Sequence, residues 1–356
     1  SPKIKSKVDN ITKSLYNLNQ IRGIFMKTKE AVLLYLQKHS GESISGEKMA
    51  LALNKSRTSI WKAIQSLKKE GYAIDSSTNK GYTLAENNDV LSEQQINQEL
   101  IQQHHPIDWV IQTMESTTST NDLAKQYANQ HSTTPAIFIS EEQTAGRGRL
   151  GRTFVSPSKT GLYMSLCLFP TIALEDLSLI TCATAVACIE TLEQLTGNSL
   201  NIKWVNDLFY QDKKVGGILT EVISDFESQQ VQALIVGIGI NLIDSPQSFP
   251  EELHSIVGSI FSSKEEYNDS SFNRNHFIAQ FLEKWTFYYQ NLSKREFIST
   301  YKEHSNVIGK FVNVFEGSQT YSAYAKDIDE NGHLVVEKED NSLYTLSYGE
   351  VSIRTK

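Results

Sequence analysis

Three segments of this chain carry three different spacings of apolar residues, and this change of spacing limits the fold more than any single motif. Residues 28–84 contain short runs at helical spacing, residues 109–306 alternate strand-like and helix-like runs, and residues 307–354 alternate apolar and polar residues between turns. A chain of 356 residues also exceeds what one compact core usually holds. We therefore expect an α+β multidomain protein.

The first segment predicts a winged helix-turn-helix. One amphipathic helix begins at Thr28, a second runs from about Ser45 to Leu53, and a third runs from the N-cap residue Ser56 to about Lys69. Two short helices joined by a tight turn are typical of a helix-turn-helix. A hairpin that turns at about residues 79–81 would supply the wing.

The charge of this segment favours contact with DNA. Residues 46–82 carry seven basic and three acidic residues, a net charge of +4, whereas the whole chain has a net charge of −7. Base contacts are expected from the N-terminal half of the third helix, and phosphate contacts from the basic residues beyond it. The predicted DNA-binding residues are Arg57, Thr58, Ser59, Trp61, Lys62, Lys68, Lys69 and Lys80. The alternative is a solvated basic helix face. Because winged helices usually bind two-fold sites, DNA binding would imply a homodimer.

The heptapeptide GRGRLGR, Gly146–Arg152, lies between two strand-like runs at 136–140 and 161–168. Glycine lets backbone N–H groups approach a ligand closely, and arginine supplies a planar charged fork suited to phosphate or carboxylate oxygens. We expect a loop that is poorly ordered alone and closes over an anion. The alternatives are a solvated basic turn and an arginine–glycine segment that binds RNA.

A second candidate site follows in the run KWVND, which a tight turn separates from KKVGGILTE. Lys203 lies among apolar strand residues, so it must reach solvent, pair with an anion or titrate at a lowered pKa. The pair Gly216 and Gly217 interrupts the next strand-like run, which suggests close approach by a ligand or by another backbone.

Four motifs in this order resemble those of biotin protein ligases, and in particular the bifunctional bacterial enzymes that also repress the biotin operon. The motifs are STTSTN (116–121), GRGRLGR (146–152), the KW-ND and GGIL-E run (203–221) and GIGIN (237–241). The likeness covers about residues 27–354. It implies a winged helix at 26–84, a linker at 85–108, a mixed α/β ligase domain of the class II biotin/lipoate type at 109–306 and an SH3-like barrel at 307–356.

The resemblance also implies the chemistry. Biotin and ATP, with Mg²⁺, would form biotinyl-5′-AMP, and biotin would pass to a lysine of a biotin carboxyl carrier protein. Lys203, Arg147, Arg149 and Arg152 would be catalytic. Biotin would bind Ser119, Thr120, Asn121, Gln143, Gly146, Arg147, Gly148, Arg149, Lys203, Gly216 and Gly217. ATP or the adenylate would bind Arg149, Arg152, Phe154, Lys203 and Asn241, with Phe154 as an aromatic shelf for adenine. No residue is expected to bind a metal directly.

Composition narrows the class further. Charged residues at 21% and hydrophobic residues at 39% fit an ordinary globular protein. The three cysteines show no metal-binding spacing, so buried free thiols in a cytoplasmic protein are expected. No apolar run is expected to approach the ~20 residues of a membrane helix. Residues 1–25 carry a net charge of +4, from five basic residues and one acidic residue, and are interpreted as an extension or leader.

Other interpretations stay open at this stage. The chain could be a ligase for lipoate or another acyl acid, because that related family shares the fold, or a ligase without operator binding. It could also be a transcription factor whose ligase-like domain only senses a ligand. In that case Lys203 or the arginine loop should be degraded, and both are present.

Overall fold

The computed structural model describes residues 27–77, 80–85, 88–130, 133–170, 176–224 and 231–354. The chain divides into two compact units, and the division lies between Val90 and Leu91. The predicted extension at residues 1–25 and part of the predicted wing turn, residues 78–79, lie outside the described residues.

The first unit is the predicted winged helix-turn-helix. Its elements are α1 (Thr28–Lys38), α2 (Gly46–Leu53), α3 (Arg57–Lys69) and the antiparallel hairpin of β1 (Ile74–Ser77) and β2 (Gly81–Leu84). Ser45 and Ser56 are the N-caps of α2 and α3, and each hydroxyl accepts a hydrogen bond of 3.1 Å from a backbone N–H of the first turn. Ile60, Ile64 and Leu67 face the core at helical spacing. The predicted N-terminal fold is confirmed.

The second unit is built on a mixed sheet of seven strands in the order β3-β4-β5-β9-β8-β7-β6, in which only β3 and β4 pair in parallel. The strands are β3 (Val110–Met114), β4 (Ala136–Ser140), β5 (Gly161–Leu168), β6 (Asn201–Lys203), β7 (Asp207–Tyr210), β8 (Lys213–Ser224) and β9 (Val231–Asn241). Every residue of β4 and β5 is buried, so this pair lies at the centre of the core. The predicted mixed α/β domain is confirmed.

Six helices belong to this sheet: α4 (Glu93–Gln102), α5 (Thr120–Ala128), α6 (Leu177–Thr196), α7 (Lys264–Asp269), α8 (Arg274–Gln290) and α9 (Phe297–Glu303). Helix α6 has 20 residues and is apolar enough to cross a membrane by length and composition. The expectation that no run approaches this length is therefore wrong. Most of α6 is buried against the sheet and α8, as in the core helix of a globular domain.

The chain ends in a five-stranded antiparallel sheet with the order β13-β12-β11-β10-β14. Its strands are β10 (Phe311–Glu316), β11 (Gln319–Ile328), β12 (Leu334–Glu337), β13 (Leu343–Leu346) and β14 (Glu350–Ile353). This sheet shares the hydrophobic core of the second unit. The Trp204 indole, for example, donates a 3.0 Å hydrogen bond to the Gly332 carbonyl. The predicted small C-terminal β domain is confirmed.

Candidate active site

Three glycines lie close together on one face of the large sheet: Gly217 in β8, and Gly237 and Gly239 in β9. One register row runs across four strands from Lys203 through Asp207 and Gly217 to Gly239, and side chains paired in this way point to the same face. Gly237 lies on the same face one row away. Because glycine has no side chain, the sheet is open to other groups here.

Two side chains from outside the sheet pack directly onto these glycines. A Cβ atom added to Gly237 would lie 2.3 Å from Asn121 Oδ1, and one added to Gly239 would lie 2.4 Å from the Phe154 ring. Both glycines are therefore required by close approach. Gly216 instead packs against the backbone, since an added Cβ would lie 2.7 Å from the Gly239 carbonyl oxygen. The expectation that Gly216 and Gly217 interrupt a strand is wrong, because β8 runs continuously through both.

A buried network of neutral groups connects three of the predicted biotin-binding residues. The backbone N–H of Thr120 donates to Gln143 Oε1 at 2.9 Å, and the hydroxyl of Ser165 donates to Thr120 Oγ1 at 2.7 Å or to Asn121 Oδ1 at 2.5 Å. The side chain of Gln143 in turn donates to Ser156 Oγ. Thr120 and Asn121 lie in the first turn of α5, so the end of a helix fixes their positions.

The glycine loop forms a hairpin in the structure. Arg147 pairs with Thr153 in an antiparallel bridge, and a turn of 3₁₀ helix at Arg149–Gly151 closes the hairpin. Leu150 and Gly151 both have positive φ, +55° and +73°. A Cβ atom at Gly146 would lie 2.4 Å from the Phe154 carbonyl oxygen, so only glycine fits there.

Each arginine of this hairpin has a protein partner. Arg147 forms a bidentate pair with Asp122 of α5, and Arg152 forms one with Glu350 at 2.6 and 3.0 Å. Arg149 donates to the Asn206 side chain at 3.3 Å and to the Gly349 carbonyl at 3.1 Å.

The partners of Arg149 and Arg152 connect the hairpin to two other parts of the second unit. Asn206 belongs to the turn after Lys203, and Gly349 and Glu350 belong to the C-terminal sheet. The structure therefore brings the arginine loop, the KWVND turn and the C-terminal sheet together.

Lys203 lies at the edge of the sheet beside this cluster of charges. Burial lowers the pKa of its ammonium group, while Asp207 opposes that shift. The nearby carboxylate of Asp207 forms an ion pair of 2.7 Å with Lys214. The Lys203 ammonium also lies 5.8 Å from the centre of the Phe209 ring. A half-buried cation beside further cations is suited to bind an anion.

Asn241 borders a cavity of about 390 Å³, a volume within the range of small-molecule sites. Its amide donates to the Gly258 carbonyl at 3.2 Å, but its buried Oδ1 atom has no hydrogen-bond partner among the described residues. Such an atom is costly unless a ligand or water satisfies it. Phe154 does not line this cavity, since its ring contacts Gly239 and Tyr163. The Phe154 ring lies over Gly239, two residues before Asn241 on the same face of β9, and its role as an adenine shelf stays a prediction.

The predicted DNA-binding residues are mostly exposed on the first unit. Arg57, Thr58, Trp61 and Lys62 project from the N-terminal half of α3, and 53% of the Trp61 surface is accessible. Ser59 is half-buried and bonds to the N-cap Ser56. Lys69 and Lys80 are exposed, whereas Lys68 donates to the Ser76 hydroxyl of β1 at 2.7 Å. The N-terminal half of α3 thus presents basic and polar side chains on its exposed face, where the sequence analysis expected base contacts.

Several residues that hold the site were missed by the sequence analysis. Ser165 is a polar residue within the fully buried strand β5, a signal that could have been noticed. Glu221 binds both Asn121 and Lys125, each at 2.7 Å, and so fixes the orientation of the Asn121 amide. Glu350 lies 198 residues after Arg152, and nothing local in the sequence indicates that the two are in contact.

The three cysteines are buried free thiols, as predicted. Burial raises the pKa of Cys167 to about 11 and that of Cys182 to about 12, so neither is a reactive thiolate near neutral pH.

Comparisons with known proteins agree with this architecture. The family described as "Biotin/lipoate A/B protein ligase family" matches residues 113–241, an "HTH domain" matches residues 28–83, and "Biotin protein ligase C terminal domain" matches residues 307–354. Among solved structures, the biotin protein ligase from Aquifex aeolicus in complex with biotin and ATP shares 24% identity with a TM-score of 0.56, over 69% of this chain and 99% of that one. That likeness supports the fold.

Two curated relatives are similar over most of the chain. The bifunctional ligase/repressor BirA of Bacillus subtilis is 35% identical over 264 residues, which are 73% of this chain and 78% of that protein. BirA of Bacillus spizizenii is 33% identical over 316 residues, 88% of this chain and 94% of that protein. This chain therefore belongs to the biotin protein ligase family, and it is similar over most of its length to members that are both ligase and repressor.

Proposed function

We propose that this chain converts biotin and Mg·ATP to biotinyl-5′-AMP, biotinylates a lysine of biotin carboxyl carrier domains, and represses biotin genes as an adenylate-loaded homodimer. The observation that carries the enzymatic half is the convergence of the half-buried Lys203, the arginine hairpin and the neutral network on one unit. These groups match the three parts of the reaction: a carboxylate, a triphosphate and an uncharged ring.

In the first step a biotin carboxylate oxygen attacks the α-phosphorus of ATP, a C–O–P bond forms, and pyrophosphate leaves. Two anions must approach each other, so positive charge has to offset both their repulsion and the charge that develops at phosphorus. Lys203 would contact the carboxylate and the α-phosphate. Burial lowers the pKa of its ammonium group because the charge is poorly solvated there, and a bound anion would stabilise that charge. Arg147, Arg149 and Arg152 would exchange their protein partners for phosphate oxygens.

Binding of the uncharged part of biotin would use the neutral network. The ureido ring presents N–H donors and a carbonyl acceptor, and Thr120, Asn121 and Gln143 offer both kinds of group at a helix N-terminus. With Ser119, Gly146, Gly148, Gly216 and Gly217 they remain the proposed biotin-binding set. The ring of Phe154, which lies above Gly239, would flank this network and provide the proposed aromatic shelf for adenine.

Adenine would occupy the cavity that Asn241 borders. The free Oδ1 atom of Asn241 can accept from an exocyclic amine, which would satisfy its hydrogen-bonding capacity. Mg²⁺ would enter as part of Mg·ATP, because hard cations bind triphosphate oxygens and usually keep several waters. Among the described residues no three His, Cys, Asp or Glu side chains are grouped to hold a metal.

In the second step the carrier lysine amine attacks the carbonyl carbon of the mixed anhydride, and AMP leaves. This step depends mainly on positioning. The repressor half is supported by the exposed basic face of α3, and its two-fold DNA site would require a dimer. Both partners, carrier domains and operator DNA, place the proposed activity in the cytoplasm.

The decisive test measures pyrophosphate release with Mg·ATP and one of three acids: biotin, lipoate or octanoate. We expect biotin to be the preferred acid by kcat/KM. Faster turnover with lipoate or octanoate would reverse the assignment in favour of the related acyl ligases. Binding to DNA upstream of biotin genes, measured with and without biotin and Mg·ATP, tests the repressor half. Unchanged binding would leave a ligase without operator control.

A further inference from the structure

The first turn of α8 connects the base of the glycine loop to the helix that begins the second unit. Three consecutive residues of this turn point to two different places. Arg274 contacts the strands that border the glycine loop, whereas Asn275 and His276 contact α4. Helix α4 starts two residues after the boundary at Leu91, so it is the first element beyond the DNA-binding unit along the chain.

Arg274 holds both ends of the segment 141–160, which contains GRGRLGR. Its guanidinium forms a bidentate pair with Glu141 at 2.7 and 3.0 Å, and it donates to the Gly161 carbonyl at 3.1 Å. Arg274 and Glu141 are 5% and 6% exposed, so the pair is almost fully buried. A buried bidentate pair has one preferred geometry, and leaving either charge alone would be costly. The base of the loop is thus fixed to the start of α8.

Asn275 holds the start of α4 just as firmly. Its Oδ1 atom accepts from the Ser92 backbone N–H at 2.8 Å, and its amide donates to Gln95 at 3.3 Å. Asn275 is completely buried, and Ser92 is the N-cap of α4. The imidazole of His276 then binds Glu99, one turn further along α4, at 2.7 Å.

We propose that the first turn of α8 transmits ligand binding at the glycine loop to α4. Arg274 is the positioning residue for the loop. Asn275 and His276 provide the grip on α4, that is, the hydrogen bonds that hold it. This inference rests on the proposed function, because it concerns how the adenylate would control the DNA-binding unit. A helical turn is rigid, so a shift at the loop base that displaces Arg274 also displaces its two neighbours.

Hydrogen–deuterium exchange of the full chain tests the connection directly. Exchange is followed in peptides from the loop (141–160) and from α4 (93–102), with and without biotin and Mg·ATP. In the wild type we expect both regions to exchange at least about threefold more slowly when the ligands are present. In Asn275→Ala and in the milder His276→Ala, the loop should still respond and α4 should not. Glu283→Gln, an exposed change on the same helix, is the matched control and should behave as the wild type.

The DNA response gives a second readout. A labelled duplex is first selected from random sequences by the wild type in the presence of biotin and Mg·ATP. We expect His276→Ala to release pyrophosphate within about twofold of the wild-type rate while losing at least fivefold of the ligand-dependent gain in affinity for that duplex.

The outcomes separate cleanly. An α4 response that is the same in both variants as in the wild type overturns the connection while the proposed function stands. A variant that loses adenylation together with its DNA response would make this turn a general support of the fold, and also overturns it. If the wild type itself releases no pyrophosphate and its loop does not respond, the proposed function fails, and this inference fails with it.

Discussion

The neutral network and the arginine hairpin lie in the same unit but are stabilised in opposite ways. Thr120 and Asn121 are almost fully buried, and their polar atoms bond to the neighbouring side chains of Gln143, Ser165 and Glu221. The arginines are more exposed, with 40% of the Arg147 side chain and 68% of the Arg152 side chain accessible, and these two pair with carboxylates.

This difference indicates which half of the site is ready for a ligand. A buried network of neutral hydrogen bonds is pre-organised for an uncharged ring, so biotin binding should need little rearrangement. The arginines must leave Asp122 and Glu350 before they can hold phosphate oxygens. Exposed ion pairs contribute only about 0–1 kcal/mol each, so this exchange costs little. The neutral network is therefore the fixed half of the site, and the arginine hairpin is the half that exchanges partners.

The largest effect should separate the base of the loop from its tip. Glu141→Gln leaves the buried Arg274 without its counter-charge, and we expect a loss of about 3–5 kcal/mol in the free energy of unfolding. Glu350→Gln, the matched change at the exposed Arg152 pair, should cost less than about 1 kcal/mol. Urea unfolding followed by fluorescence of Trp109, Trp204 and Trp285 reports on this unit. Equal losses in the two variants would show that the base is no more fixed than the tip.

Removal of the charge at Lys203 should have the next largest effect. Lys203→Ala is expected to slow pyrophosphate release about 10²–10³-fold, in line with the loss of one electrostatic contact to a developing charge. The urea midpoint should be little changed, because Lys203 lies at a sheet edge and leaves no buried partner unpaired. Lys214→Ala removes a nearby cation on β8 and is the control. Turnover near the wild-type rate in Lys203→Ala would remove this residue from the mechanism.

The lowered pKa of Lys203 predicts how activity depends on pH. The protonated ammonium is the form that binds anions, and burial makes it lose its proton below the ordinary lysine pKa. As pH rises through that lowered pKa, kcat/KM for adenylation should fall. Arginine stays protonated over this range, so Lys203→Arg should have a lower but flat alkaline profile. An identical alkaline fall in both proteins would assign it to another group.

A smaller effect is expected within the neutral network. Thr120→Val removes the hydroxyl that lies 3.2 Å from Gln143 and accepts from Ser165, while nearly keeping the shape of the side chain. We expect KM for biotin to rise about 5–30-fold, equivalent to about 1–2 kcal/mol, with KM for ATP unchanged. Thr191→Val, an equally buried threonine on α6, is the control and should leave both KM values unchanged. A rise in KM for ATP instead would show that Thr120 contributes to ATP binding and not to biotin binding.

What the sequence could predict was local. The N-cap Ser56 and the alternation of the C-terminal strands depend on residues a few positions apart, and these elements formed as expected. The four sequence motifs that resemble those of biotin protein ligases also identified the family. The pairing of Arg152 with Glu350 joins residues 198 positions apart, and that of Arg274 with Glu141 joins residues 133 apart. No local pattern encodes such contacts, since they follow from the strand order.

The strand on which the Phe154 ring packs could not be predicted for the same reason. Its aromatic character and its position after the loop were evident, but the strand that its ring covers is set by the pairing of β9 with β5. The hairpin conformation of the loop was not predicted either. Composition indicated a flexible basic segment, whereas the backbone bridge between Arg147 and Thr153 and the ion pairs of the arginines define a hairpin.

The smallest expected effect concerns the grip of α8 on α4. The hydrogen bond to Glu99 raises the pKa of His276, so the protonated pair should stabilise the fold below the ordinary histidine pKa and lose that contribution as pH rises through the raised value. Because 45% of the His276 side chain is exposed, solvent screening limits the contribution to a few tenths of a kcal/mol, at most about 1 kcal/mol. Glu99→Gln should therefore lower the urea midpoint at pH 6 and leave it nearly unchanged at pH 9. A midpoint lowered equally at both pH values would show that the contact acts through packing and uncharged hydrogen bonding, in which case the grip on α4 would not depend on the charge of His276.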